Sequence, residues 1–457
     1  MKLAALSLAA VAATGLVSAD CTYTGGNYYC SETNAVIYSN VGYSGAYKDV
    51  ISMDESSCGC SQSLLSFSGS LAPLNQELSV HFRGPIKLVQ FGVYYPNSGT
   101  SLKKRSVAAE KDCEPVSHRH KREVIVEYVE VTSTVYVDAA GNPVTEDAAQ
   151  SETFFSYTKV STVLSTSLPT SEAVQATSEA AQAVDTTTAS SSQQQQQASS
   201  SIKSSAAIES TSVSSSGAWK RSSYFTPGSA ENLVFMNHQG GVAGSGTWSS
   251  CFGNSISFAA SDGTSGASSA QVLGDVTVSS NHEFMIFSGQ ECSGSDCGYY
   301  REGIPAYQGF SGDDKIFVFE FTMPSDTDGS NFNQDMPAIW LLNAKIPRTL
   351  QYGDATCSCW STGCGELDLF EILTAGSDKL ITHIHDGQGD AGTATGGGGT
   401  QDYFSRPTSG TLKAAVIFNG DDKTIHIVEV TDDFSEELSE STVSSWLAKS
   451  GSSAALS

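Results

Sequence analysis

Between residues 222 and 450 the apolar residues recur at every second position in short runs, the period of a strand with one buried face. Such runs occupy residues 232–236, 255–259, 271–278, 315–323 and 424–430, separated by Gly, Ser, Asp and Asn clusters that read as turns. The spacing predicts one large β-sandwich here. Helical periodicity is scarce and best developed over residues 436–447. Earlier in the chain, residues 78–82 and 87–95 alternate in the same way within a Tyr- and Gly-rich stretch, predicting a small β module over residues 20–100. Its Tyr28, Tyr29, Tyr43, Tyr94 and Tyr95 are candidates either for a small core or for stacking on sugar rings. Residues 124–137 alternate strongly enough for one strand. Residues 151–217 are rich in Ser, Thr, Ala and Gln, with too few large apolar residues to offset the entropy of ordering them. They are expected to be a disordered, O-glycosylated stalk within a linker over residues 101–221, with a flexible tail over residues 451–457.

One strand departs from simple alternation. Residues 365–373 read GELDLFEIL, with Glu366, Asp368 and Glu371 set in an apolar run. Glu366 and Asp368 share a face, whereas Glu371, an odd step further on, falls on the other. One extra residue, a β-bulge at residues 369–370, would return all three to one side. Regular pairing would part the two Glu Cα atoms by roughly 13 Å, and inward-leaning side chains on a concave sheet would close the carboxyl gap to the ~5 Å of a retaining glycosidase.

The formal charge of −25 excludes nucleic acid and anionic membrane surfaces as natural partners, whereas a neutral polysaccharide meets no such repulsion. Residues 1–19 carry Lys2, an apolar stretch and a Val17-Ser18-Ala19 cleavage pattern, the form of a secretory signal peptide. No other run has the length of a membrane span, and the end of the chain lacks the apolar tail of a lipid-anchor signal. Lys104-Arg105, Lys121-Arg122 and Lys220-Arg221 are candidate processing-protease sites, the last at a sharp boundary in composition.

The chain has 11 cysteines, suited to an oxidising, extracellular setting. Cys21, Cys30, Cys58 and Cys60 predict two disulfides within the N-terminal module, in any of three pairings. Cys251, Cys292, Cys297, Cys357, Cys359 and Cys364 allow three more in the C-terminal domain, and Cys113 is left over. A metal at Cys357, Cys359 and Cys364 is disfavoured because no His stands at ligand spacing, and no oxygen-ligand loop for calcium stands out. No cofactor is expected.

The acidic strand has fixed company. FVFEFTMP at 317–324 and PAIWLLN at 337–343 precede it, and THIHD at 382–386 and LKAAVIFNGDD at 412–422 follow. In this order the motifs resemble the laminarinase-like glycoside hydrolases of the family sixteen type, which are β-jelly rolls. The whole layout, including LAPLNQELSVHFRGPIKLVQFGVYY at 71–95, resembles the "target of SBF" glycosidase-type proteins of the fungal cell wall. The resemblance implies a mostly β protein: a jelly-roll sandwich, a small disulfide-bonded N-terminal module and a long linker. It also implies a secreted, wall-located endo-β-1,3-glucanase. The alternatives are a transglycosidase that cross-links wall polymers and a non-catalytic wall protein. By the same motif Glu366 would be the nucleophile and Glu371 the general acid/base, with Asp368 between them. Trp340 and Trp360 are candidate sugar platforms, and His383 and His385 are candidates for contact with the acids. A Cys-rich loop separates Trp360 from Glu366. Asp335 is a candidate cleft residue by position, and the glycines at 396–399 read as a flexible rim loop.

Overall fold

The computed structural model describes residues 21–97, 218–329, 332–389 and 396–457, together with backbone strands at Val131–Val137, Pro143–Val144 and Phe155–Ser161. The expected signal peptide, Lys104-Arg105, Cys113, Lys121-Arg122 and the other residues of the expected linker up to 217 lie outside the described residues. Two compact units are present, Met1–Leu102 with Ser212–Ser457, and Lys103–Thr211. In the second unit the three strands form one antiparallel sheet with Val131–Val137 in the middle.

The first unit is a sandwich. One sheet runs in the order Leu233–Asn237, Glu283–Ser288, Leu78–Arg83, Ala338–Asn343, Glu366–Glu371, Lys379–His385 and Gly397–Gly399, with short strands at its edges. The other runs Trp219–Thr226, Lys87–Pro96, Lys315–Thr322, Leu412–Asn419, Thr424–Glu429, Ala35–Ser39 and Ser452–Ala455. Their facing side chains form a single core in which Phe82 meets Phe319 at 6.4 Å and Phe321 meets Phe370 at 5.2 Å between ring centroids. Alternation explains who faces inward. In Leu78–Arg83 the side chains of Leu78, Val80 and Phe82 enter this core, leaving Ser79, His81 and Arg83 for the opposite face. Gly84 then lets the chain cross from one sheet to the other, because a Cβ there would collide with the carbonyl oxygens of Val278 and Ser279.

Mostly β structure is therefore as expected, and the helix expected near residue 440 is Glu440–Leu447, capped by Ser439 Oγ accepting from Thr442 N at 3.0 Å. Several boundaries differ. Residues 20–100 are not a separate module, since Leu78–Arg83 and Lys87–Pro96 are interior strands of the two sheets. Only Cys21–Cys30 is local to them, while Cys58 pairs with Cys251 and Cys60 with Cys357. Cys292–Cys297 and Cys359–Cys364 complete the set among the described residues. The end of the chain is not a loose tail either: Ser452–Ala455 pairs in parallel with Ala35–Ser39, and Leu456 is buried. Residues 271–278 form no regular strand, only a bridge from Val278 to Ile86. Of the tyrosines, Tyr29 and Tyr94 are core residues, and Tyr28 is exposed.

The linker's ends are the most consequential difference. Trp219 pairs with Pro96, and Asn97 N donates to Ala218 O at 2.7 Å, so residues 98–217 leave and re-enter the sandwich at one point. They are an insertion into a pair of adjacent antiparallel strands. Lys220 and Arg221 lie just inside that pair, opposite Tyr95 and Tyr94, with Lys220 also opposite Glu437 on the other edge. A protease needs an extended, unpaired segment, so in the folded protein this pair is closed to one.

Candidate active site

The acidic strand is held between Ala338–Asn343 and Lys379–His385. On the first side the register runs Leu342↔Glu366, Leu341↔Leu367 and Trp340↔Asp368, then jumps to Ile339↔Phe370 and Ala338↔Glu371. Leu369 is the extra residue, and the register with Lys379–His385 breaks between the same two acids, Asp368 and Glu371. The bulge puts Leu367, Leu369 and Phe370 together in the inter-sheet core. Glu366, Asp368 and Glu371 consequently emerge on one face, where all three line a hollow of ≈ 290 Å³.

The hollow's floor is Trp340, 5 % exposed and stacked on His81 with centroids 5.1 Å apart. Its rim is Trp360, 41 % exposed, whose indole Nε1 donates to Glu366 Oε2 at 2.6 Å. The Cys-rich loop fixes that indole. Trp360–Thr362 is a 3₁₀ turn closed by Cys359–Cys364, and Gly363 has φ 84°, a left-handed conformation that favours glycine. Cys60–Cys357 ties the same loop to the ribbon formed by Gly45–Asp54 and Gly59–Phe67. From that ribbon Lys48 N donates to Thr362 Oγ1 at 2.9 Å and Gln62 Nε2 to Ser358 O at 3.0 Å.

Burial, and then the charge of Asp368, pushes Glu366 up to about 8. Burial, and then Glu371, holds the Asp368 carboxyl well above the usual carboxylate range. Burial and mutual repulsion thus favour the protonated forms of Glu366 and Asp368. A cation stands against the cluster on one side. Arg83 Nη2 donates to Glu371 Oε1 at 3.2 Å while its Nε donates to Met336 O at 2.7 Å. The register explains its reach: Arg83 and Glu371 both stand opposite Ala338, whose methyl group leaves the space between them open. On the far side His385 Nε2 lies 3.3 Å from Asp368 Oδ2.

The predicted residues thus fall into groups. Glu366, Asp368, Glu371, Trp340 and Trp360 meet at the hollow. His385 touches the acids from the neighbouring strand, and His383 lies beside it at 4.4 Å between centroids, held near pKa 4 by burial and by His385. Neither histidine lines the hollow. Asp335 does not belong to the site: it is buried in an ion pair with Arg406. Gly397–Gly399 is no rim loop but a strand paired to His383–His385. Cys357, Cys359 and Cys364 are all in disulfides, which removes any metal reading. Arg83, His81 and Tyr352 were not singled out by sequence. For His81 and Arg83 the one visible signal is a polar residue at every second position of LSVHFR, in a strand otherwise fit for the core; Tyr352 has no such signal.

Comparison with known proteins agrees with this layout. The C-terminal model of the cell wall protein YJL171C/Tos1 family matches residues 217–446, and its N-terminal model matches residues 34–96. A Saccharomyces cerevisiae protein named "Probable circularly permuted 1,3-beta-glucanase TOS1" is 65 % identical, with 96 % of each chain covered. A Candida albicans protein of the same name is 51 % identical over 97 % of this chain and 96 % of its own. An Arthroderma benhamiae protein named "Probable circularly permuted 1,3-beta-glucanase" is 31 % identical over 97 % and 96 %. No solved structure matches. With both of its ordered stretches matched and relatives covered almost end to end, this chain belongs to the YJL171C/Tos1 family of cell wall proteins.

Proposed function

We propose that the protein is a retaining endo-β-1,3-glucanase acting on fungal cell-wall β-glucan. The observation that carries this reading is the bulge at Leu369, which gathers Glu366, Asp368 and Glu371 into one hollow beside an exposed, immobilised tryptophan. The names of the relatives supply the substrate class.

In the first step the proton that burial keeps on Glu366 in the free site passes to Glu371, and the Glu366 carboxylate so formed attacks the anomeric carbon while the Glu371 carboxyl gives that proton to the departing glycosidic oxygen. A glycosyl ester on Glu366 results. In the second step the Glu371 carboxylate takes a proton from water, the water oxygen bonds to the anomeric carbon, and Glu366 leaves as carboxylate. Arg83 places a cation beside Glu371 for the half of the cycle in which that group is charged. Asp368, the most buried of the three, is held above the usual carboxylate range by burial and then by Glu371, and whenever it keeps its proton the like charge that pushes Glu366 up is removed. The Trp360 N–H stabilises Glu366 in its ionised form.

A binding protein without activity has no use for this arrangement, because carboxyls withdrawn from water are costly unless they serve chemistry. Release of reducing ends from β-1,3-glucan is the test. Glu366→Gln and Glu371→Gln should each lower the rate by at least about a thousandfold. Equal binding of glucan by wild type with no release of reducing ends would defeat the proposal. A transglycosidase would use the same acids with a sugar hydroxyl in place of water. Products longer than the substrate identify it.

A further inference from the structure

A second hollow of ≈ 510 Å³ adjoins the first, and the two share Arg83 and Tyr352 in their walls. Its size lies within the range of about 300–1,000 Å³ typical of small-molecule sites. Tyr352 is 60 % exposed, yet it is not free to move. Its hydroxyl donates to the Glu283 carboxylate at 2.8 Å, and its ring meets His238 edge-on at 5.6 Å. His238 Nε2 is itself 3.0 Å from Gln351 Oε1. A large aromatic face is therefore presented to solvent with its rotamer already fixed, so binding against it costs little further entropy. Around it stand neutral hydrogen-bonding groups, Gln239, Thr264 and Asn281. Burial holds His238 down to about 4, so its imidazole is uncharged at neutral pH. Glu283 stands opposite Arg83 in the ladder, in the row that leads through Ala338 to Glu371.

An anionic ligand would meet Glu283 here, and a lipid would find too few apolar walls. A neutral polyhydroxylated ligand matches the lining: an aromatic face for C–H patches, with amides and hydroxyls for its oxygens. We infer that this second hollow is a saccharide subsite holding further glucosyl units of the chain whose scissile bond lies over the acids, with Tyr352 as the platform common to both hollows. The inference rests on the glucanase reading above and makes the enzyme selective for long chains.

The test compares kcat/KM of the full-length protein on short and long β-1,3-gluco-oligosaccharides. In wild type the long-to-short ratio should exceed about tenfold, equivalent to about 1.4 kcal/mol. Thr264→Trp, which fills the second hollow, should lower that ratio about tenfold, and Gln239→Ala about threefold. If Thr264→Trp fails to fold, Gln239→Ala decides. An unchanged ratio in folded variants overturns the subsite and leaves the glucanase reading standing. Equal losses on short and long substrates also overturn it, since the hollow would then only support the acids. No cleavage of any β-1,3-glucan by wild type overturns the underlying reading and the subsite with it.

Discussion

Two strands of this sandwich are built from nearly the same materials. Lys315–Thr322 reads KIFVFEFT and Glu366–Glu371 reads ELDLFE, each an apolar, Phe-bearing segment interrupted by acid. In the first, Phe317, Phe319 and Phe321 enter the inter-sheet core. Ile316 and Val318 turn the other way, under Trp446 of the Glu440–Leu447 helix. Glu320 is left at the periphery, accepting from Gln90 Nε2 at 2.6 Å and Thr411 Oγ1 at 2.9 Å, both neutral groups that satisfy it. In the second strand one added residue turns three acids onto a face that is left open as a hollow. The difference between a structural strand and a reactive one is thus a matter of parity and of what lies above. Composition does not distinguish them.

The sharpest way to break this contrast is to remove the bulge. Deleting Leu369 should turn either Glu371 or the Glu366–Asp368 pair into the core, abolishing glucan hydrolysis by at least about a thousandfold and lowering the melting temperature. Glu320→Gln, the same chemical change on the other strand, should keep activity within about twofold.

A milder intervention leaves the strand alone and loosens its rim. Trp360→Phe keeps an aromatic ring but loses the N–H on Glu366, so kcat/KM should fall about tenfold. Because that hydrogen bond favours the carboxylate, its loss raises the Glu366 pKa further and moves the acid limb of the pH–rate profile to higher pH. Replacing Cys359 and Cys364 by Ser should reproduce the shift in weaker form, with little loss of stability because the loop they close is short.

The two strands should also differ in how stability depends on pH. Folding lifts the Glu366 carboxyl from 4.5 to about 8, so its contribution to stability is complete below 4.5 and is lost as the pH climbs towards 8. Glu366→Gln lacks this loss. Chemical denaturation should find the variant more stable than wild type at the alkaline end and level with it at the acid end. The smallest effect is expected at the linker. Joining Asn97 to Ala218 through a two-residue turn should leave melting temperature and specific activity nearly unchanged, since these residues already pair.

The bulge was legible because Glu366, Asp368 and Glu371 have mixed parity in a strand that must keep Leu367, Leu369 and Phe370 dry. Strand positions from Lys315 onward were legible for the same reason. Partnership was not. Alternation in residues 78–95 announces strands but says nothing about which sheet receives them, and an even count of cysteines was satisfied on paper by local bonds that Cys58 and Cys60 do not make. Arg83 reaches Glu371 only because Ala338 stands between them, a relation among three distant positions. Asp335 was misread as a cleft residue because its partner, Arg406, lies far along the chain.

The meeting of Asn97 with Ala218 has one more consequence. Asn97 and Ala218 are joined at one point of the sandwich whatever lies between them in sequence. Were the segment between them cut, Cys58–Cys251 and Cys60–Cys357 would still fasten the stretch before it to the stretch after it. The hollow, with Arg83 from the first stretch and its three acids from the second, would outlast the cut.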